Sequence, residues 1–338
     1  MCKKTGLISF FILLFIFVFS VPGNSTITKV GKTGMQLLKI DVSARGAAMG
    51  GAYTMNGYDA TGMFYNPATV AQMNNSFDFF ANKTNYVADI NYSALGLAFK
   101  LPWSLGKFGI NAVSADYGNV EHTEVANNDQ GYVELGTLKP SAYAVGISYA
   151  RRLTDRFSFG ANIKYAKQEL GWNHEVDPFE NDTTENNNTV NGMVMDFGTI
   201  YYPGVKSLRF GISIRNFSSE WDYGEYSEEP QEGSFELPLN FIMGAAFDFM
   251  DLTNLENHSM TVEVNYLHPR DYSERIHVGA EYWFNNMIAL RGGYKFNYDE
   301  ESLSVGGGIN FKGIKIDYAY SLLDVFDGIS RVSLGYSF

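Results

Sequence analysis

Histidines, glycine turns and charges in register are the features of this 338-residue chain that could do chemistry. Of the five histidines, His122, His174, His258, His268 and His277, no two have a metal-ligand spacing such as His-Glu-x-x-His. His277 falls on the same strand face as Glu281, and a serine beside it would make the pair that barrel hydrolases use. No Gly-x-Ser-x-Gly accompanies it, so a solvated histidine is the plainer reading. Gly46–Gly51 lacks the order of a phosphate loop, and Gly306–Gly308 lies within an alternating strand. The single cysteine, Cys2, precedes an apolar run and leaves with it, which excludes disulfides and cysteine-bound metal from the mature chain. These residues assign no catalytic, cofactor-binding or metal site. A formal charge of −12 without a basic patch argues against nucleic acid as a partner.

The ordered charges are more informative. Arg209, Arg215, Glu263, Glu281, Arg291, Lys295, Lys315 and Asp317 fall on the polar side of alternating segments. Charges there can pair across neighbouring strands, or ring a pore and steer a permeating solute. Both uses require strands to aim them. In Arg331–Phe338 the set Val332, Leu334, Tyr336 and Phe338 opposes Arg331, Ser333, Gly335 and Ser337. Ile314, Ile316, Tyr318, Tyr320 and Leu322 oppose Lys315, Asp317, Ala319 and Ser321 in the same way. Ile288, Leu290, Tyr294, Phe296 and Tyr298 likewise oppose Ala289, Arg291, Gly293, Lys295 and Asn297. Strand side chains alternate with period two, so each segment has one apolar, aromatic face and one small or charged face. That combination fits a barrel with lipid outside and a polar interior.

The N-terminus predicts export. Lys3 and Lys4, the apolar run Leu7–Phe19 and Val21-Pro22-Gly23 read as a cleaved signal peptide over residues 1–23, too short for a comfortable spanning helix. Residues 24–75 alternate poorly and hold paired glycines and an Asn-Pro step, the makings of a plug packed tightly inside a barrel. The barrel is assigned to residues 76–338, with fourteen antiparallel strands at 76–86, 91–101, 106–117, 140–151, 156–169, 191–202, 206–216, 236–249, 258–267, 274–284, 287–298, 302–312, 313–323 and 329–338. The fold class is thus all-β, a transmembrane β-barrel, with an N-terminal plug segment. Links such as Asn285-Asn286 and Lys312-Gly313 are short, whereas residues 118–139, 170–190 and 217–235 form long loops, all on odd-numbered hairpins. Sorting of short turns to one rim and long loops to the other is characteristic of outer-membrane barrels. The three long loops hold fifteen Asp and Glu against one Lys. They read as solvated surface, or as sites for divalent cations that bridge lipopolysaccharide or for a basic partner.

Ala44-Arg45-Gly46-Ala47-Ala48-Met49-Gly50-Gly51-Ala52, then Asp59-Ala60 and Tyr65-Asn66-Pro67-Ala68, resemble the N-terminal signature of PorV/PorQ-family outer-membrane proteins. Ala88-Asp89-Ile90-Asn91-Tyr92, Leu290–Phe296 and Ile316–Tyr320 continue the likeness from about Gly31 to Phe338. The resemblance implies a FadL-like barrel in the bacterial outer membrane, with Arg45, Gly50, Gly51, Asn66, Pro67 and Ala68 in the plug. It further implies a type IX secretion or surface-attachment role without enzymatic activity, with a translocon or cargo protein as partner. The alternative it carries is passive transport of hydrophobic small molecules. Phe338 is similar to the terminal aromatic that such barrels present to the assembly machinery. Outer-membrane lipid and lipopolysaccharide complete the expected surroundings.

Overall fold

A computed structural model describes residues 32–176, 183–222, 234–253 and 255–338. The expected signal peptide, the first residues of the expected plug and parts of two long loops lie outside the described residues. In chain order the strands are β1 (Phe77–Asn85), β2 (Asn91–Lys100), β3 (Lys107–Asp116), β4 (Val120–Val125), β5 (Tyr132–Leu138), β6 (Ser141–Thr154), β7 (Phe157–Val176), β8 (Thr183–Tyr201) and β9 (Arg209–Phe217). They continue as β10 (Trp221–Asp222), β11 (Ser234–Phe235), β12 (Asn240–Asp248), β13 (His258–Pro269), β14 (Arg275–Phe284), β15 (Ile288–Phe296), β16 (Glu301–Phe311), β17 (Ile314–Leu323) and β18 (Ile329–Ser337). All but β4, β5, β10 and β11 join one closed antiparallel barrel of fourteen strands.

Closure removes the edge that a sheet in lipid could not tolerate. β18 pairs with β1 from Asp78↔Ser337 to Asn85↔Ser330. The backbone N–H of Phe338 donates to the Phe77 carbonyl, and its own carbonyl accepts from Ser76 and Phe77. The alternation sends aliphatic and aromatic side chains out: Leu290, Ile309, Ile316, Tyr318, Val332 and Leu334 are exposed on the outer wall. Arg291, Ser304, Ala319, Arg331 and Ser333 are buried on the inner side. No described helix is long and apolar enough to cross a membrane; the strands cross instead. Short turns form where two consecutive residues take positive φ, at Asn285-Asn286 (53° and 53°) and Lys312-Gly313 (50° and 87°). This turn geometry matches the twist of the flanking strands.

Three expectations need correction. The segments read as long loops carry β-structure of their own. β4 and β5 form a separate hairpin within 118–139, and β10 pairs with β11. β7 and β8 run past their expected ends and stay paired out to Val176↔Thr183. The backbone ladder needs no apolar face once it leaves the lipid, so the alternation that marks a strand ends before the strand does. Third, Tyr298 does not continue the outward set of β15. Asn297 adopts φ 63°, and the reversal brings the Tyr298 hydroxyl within 2.8 Å of His277 Nε2 on the inner side.

The described residues before β1 pack largely within the barrel. Gln36–Lys39 form a 3-10 turn. Ala44–Ala48 form a helical turn capped by the Ser43 hydroxyl, which accepts from Gly46 N at 3.3 Å. Pro67–Gln72 form a second 3-10 turn packed on β6, β7 and β8. Met35, Leu37, Met49, Tyr53, Met55 and Met63 are almost wholly buried, so this inner segment supplies much of the core.

Candidate functional site

The inner wall and the inner segment meet through charge. Arg45 reaches Glu281 on β14 with two parallel contacts, Nε to Oε2 at 2.7 Å and Nη2 to Oε1 at 2.6 Å. This fork-to-fork geometry is the strong form of an ion pair. Glu281 Oε2 also accepts from Arg291 Nε at 2.6 Å, and Arg291 Nη1 donates to Asp317 Oδ1 at 2.7 Å. In the other direction Arg45 lies 3.5 Å from Asp59, which Lys315 approaches at 3.4 Å while bonding Asp78 at 3.1 Å. The result is one continuous chain of alternating charge, Asp317–Arg291–Glu281–Arg45–Asp59–Lys315–Asp78, crossing from wall to inner segment and back. Burial alone would raise the Asp59 carboxyl, but Lys315 and Arg45 outweigh it and hold it below the usual range.

Three further sets of contacts join the wall to the inner segment. Lys295 bonds Asp41 at 2.8 Å and Glu301 at 2.9 Å. Burial would again raise Asp41, and the charges of Lys295 and Arg331 bring it well below the usual range. Glu263 accepts the Met55 N–H at 3.0 Å while Arg209 donates to the Met55 carbonyl at 3.1 Å and to Asn56 at 2.8 Å. The wall thus clamps both polar groups of one residue's backbone. Arg215 reaches the Leu38 carbonyl at 3.4 Å. Of the two uses foreseen for the ordered charges, pairing between neighbouring strands is seen for Arg291 with Glu281 and for Lys295 with Glu301, while Arg291 reaches Asp317 over β16. Arg209, Arg215, Glu263, Glu281, Lys295 and Lys315 also hold the inner segment, an arrangement neither use anticipated.

Backbone fit does the rest. Gly50 and Gly51 take φ of 62° and 74°, which L side chains rarely adopt, and let the chain turn against β15 and His277. On the wall, a Cβ at Gly293 would overlap the Met49 carbonyl carbon, and one at Gly198 would overlap the Asn66 side chain. Asn66 is fully buried; its Oδ1 accepts from Ala68 N at 3.0 Å and its Nδ2 donates to Thr199 O at 3.3 Å. Pro67 and Ala68 lie against Gly160 of β7.

Sequence reasoning missed several participants. Asp41, Asp78, Glu301 and Arg331 belong to these networks, as does a separate buried set in which Lys164 bonds Asp196 and Asn216 at 2.9 and 3.0 Å. Lys164, Asp196 and Arg331 all obey the inward alternation, so strand parity would have found them; Asp41 sits in irregular chain and left no such signal. His277 meets Tyr298 and Gly51 rather than a serine.

Beyond the inner segment, at the long-connection end, lies a cavity of about 490 Å³. Lys39, Asp41, Arg215, Asp271, Arg275, Lys295, Glu301 and Arg331 line it, with Tyr65, Tyr86, Tyr272 and Tyr298 among them. Short turns mark the periplasmic rim of such barrels, so this vestibule faces outward.

A closed fourteen-stranded wall around an inner N-terminal segment defines a FadL-like outer-membrane β-barrel. Three solved structures share the fold. The CymD monoaromatic hydrocarbon channel aligns with a TM-score of 0.60 at 14% identity, covering 90% of this chain and 99% of that one. The Pseudomonas putida toluene transporter TodX gives 0.53 at 14%, covering 87% and 96%. A Pseudomonas aeruginosa FadL homologue gives 0.53 at 11%, covering 88% and 99%. Identities this low establish architecture alone. No curated protein matches the sequence. The chain belongs to the type IX secretion system membrane protein PorP/SprF family, which it matches over residues 52–323. The secretion system and the FadL-like barrel implied by the motifs stand; the family that matches is PorP/SprF, where the motifs had suggested PorV/PorQ.

Proposed function

We propose that this protein is a non-enzymatic component of type IX secretion or surface attachment, working through contact with a translocon or cargo protein across a barrel that its inner segment closes. In this reading residues 1–23 are the export signal, residues 24–75 the plug, and Phe338 a signal to the assembly machinery. Lipopolysaccharide surrounds the outer wall. The observation that carries the reading is the fate of the wall charges: Arg209, Glu263, Glu281, Lys295 and Lys315 all engage the inner segment. A permeation pathway would need those charges free to meet solute.

Passage of hydrophobic small molecules, as in the CymD monoaromatic hydrocarbon channel and the toluene transporter TodX, calls for an apolar route. The cavity here mixes charges of both signs with Leu38, Ile40, Ile242, Leu267 and Phe326, so it is not the wholly apolar route that such passage calls for. The test is affinity capture of the tagged protein from outer membranes solubilised in mild detergent. Other secretion-system components should come with it; recovery of the barrel alone would count against the proposal.

A further inference from the structure

The vestibule holds an arginine, Arg275, that meets neither a described carboxylate nor a described carbonyl. Arg275, at the outer end of β14, is only 8% exposed. Its guanidinium lies between two rings, 3.8 Å from the centroid of Tyr272 and 3.8 Å from that of Tyr298. Its Nε is enclosed without a hydrogen-bond partner. Of the other cations on this cavity, Lys39 has Asp271 at 2.7 Å, Lys295 has Asp41 and Glu301, and Arg331 has the Asp41 carbonyl and Ser321. Arg215 shares the unpartnered Nε but donates to the Leu38 carbonyl of the inner segment at 3.4 Å.

A buried guanidinium without a counter-ion is costly, and two tyrosine rings offset only part of that cost. The rings cover its faces. Its N–H donors lie in the plane between them, so an acceptor must approach edge-on, which is the way a planar carboxylate meets arginine. Phosphate also accepts from arginine, but a dianion here would face Asp271, Asp299, Glu300 and Glu301 on the same cavity. The acceptors Asp271 Oδ1 and Asn240 Oδ1 are likewise buried and unpartnered on this cavity, and they suit a ligand with N–H donors near its carboxylate. At about 490 Å³ the space falls within the range that holds small ligands.

We propose that the vestibule is a binding site for a carboxylate flanked by amide or ammonium donors, with Arg275 held between Tyr272 and Tyr298 as its anchor. The end of a polypeptide chain and a free amino-acid derivative share this chemistry. The site does not depend on the secretion reading.

The test is calorimetric titration of the purified full-length barrel with triglycine, triglycine amide, acetate and inorganic phosphate. Triglycine should bind about tenfold or more tightly than its amide, and Arg275→Gln should weaken triglycine by a similar factor. The acid-against-amide comparison uses unmodified protein, so it stands even if the variant folds poorly. Clearly weaker acetate supports the flanking N–H donors, and acetate binding as tightly as triglycine would overturn them. No heat with triglycine, equal binding of acid and amide, tighter binding of phosphate, or no effect of Arg275→Gln would overturn it.

Discussion

Arg45 is the residue on which most of the interior converges. It links Glu281 to Asp59 and so joins the wall charges on β14, β15 and β17 to the inner segment. Removing one partner of a buried ion pair leaves the other uncompensated, which costs about 3–5 kcal/mol, whereas replacing both by apolar groups is often close to neutral. Arg45→Met should therefore lower the unfolding free energy by that amount in urea titrations of the detergent-solubilised barrel. Arg45→Met combined with Glu281→Leu should recover part of the loss, although Arg291 then keeps only Asp317 and full recovery is not expected. At this scale the sequence was legible for Glu281, Arg291, Lys315 and Asp317 through strand alternation and for Arg45 through the Ala44–Ala52 motif. Arg275 and Asp41 were not legible, because their importance comes from what the fold brings to them and from no spacing of their own.

At the scale of elements, the wall accepts the inner segment because it is missing side chains where the two touch. Gly292 and Gly293 are adjacent on β15 yet face opposite ways. A Cβ at Gly293 would overlap Met49, while at Gly292 the nearest atom is the Ser304 carbonyl at 4.0 Å. Gly293→Val should dislodge the Ala44–Ala48 turn and expose Arg45 and Lys39 to trypsin in a barrel that still shifts on heating in a gel. Gly292→Val should behave like the wild type in both assays. Strand positions were readable to within a few residues because lipid on one side and polar core on the other enforce alternation. β7 and β8 outran their expected ends because that constraint lapses beyond the membrane while hydrogen bonding continues. β18 ends on Phe338, whose backbone closes onto β1 while its ring stays exposed. Deleting Phe338 should reduce the amount of assembled barrel with little effect on the stability of what does assemble. Normal assembly would leave the exposed ring as one more lipid-facing aromatic.

At the scale of the whole molecule, the inner segment fills the barrel from within. Fourteen strands satisfy the backbone in lipid, and the inner segment satisfies the charges that line them. An outward vestibule is left for a ligand or partner. The barrel followed from alternation and from the sorting of short and long connections. The way the interior is filled did not, since pairing between residues more than two hundred positions apart, as in Arg45 with Glu281, leaves no local pattern. The most direct test is ionic conductance in planar bilayers, comparing the intact protein with a variant lacking residues 32–75. The intact barrel should pass almost no current and the shortened one should form a steady open pore. Equal, sustained conductance from both would contradict a lumen closed by the inner segment.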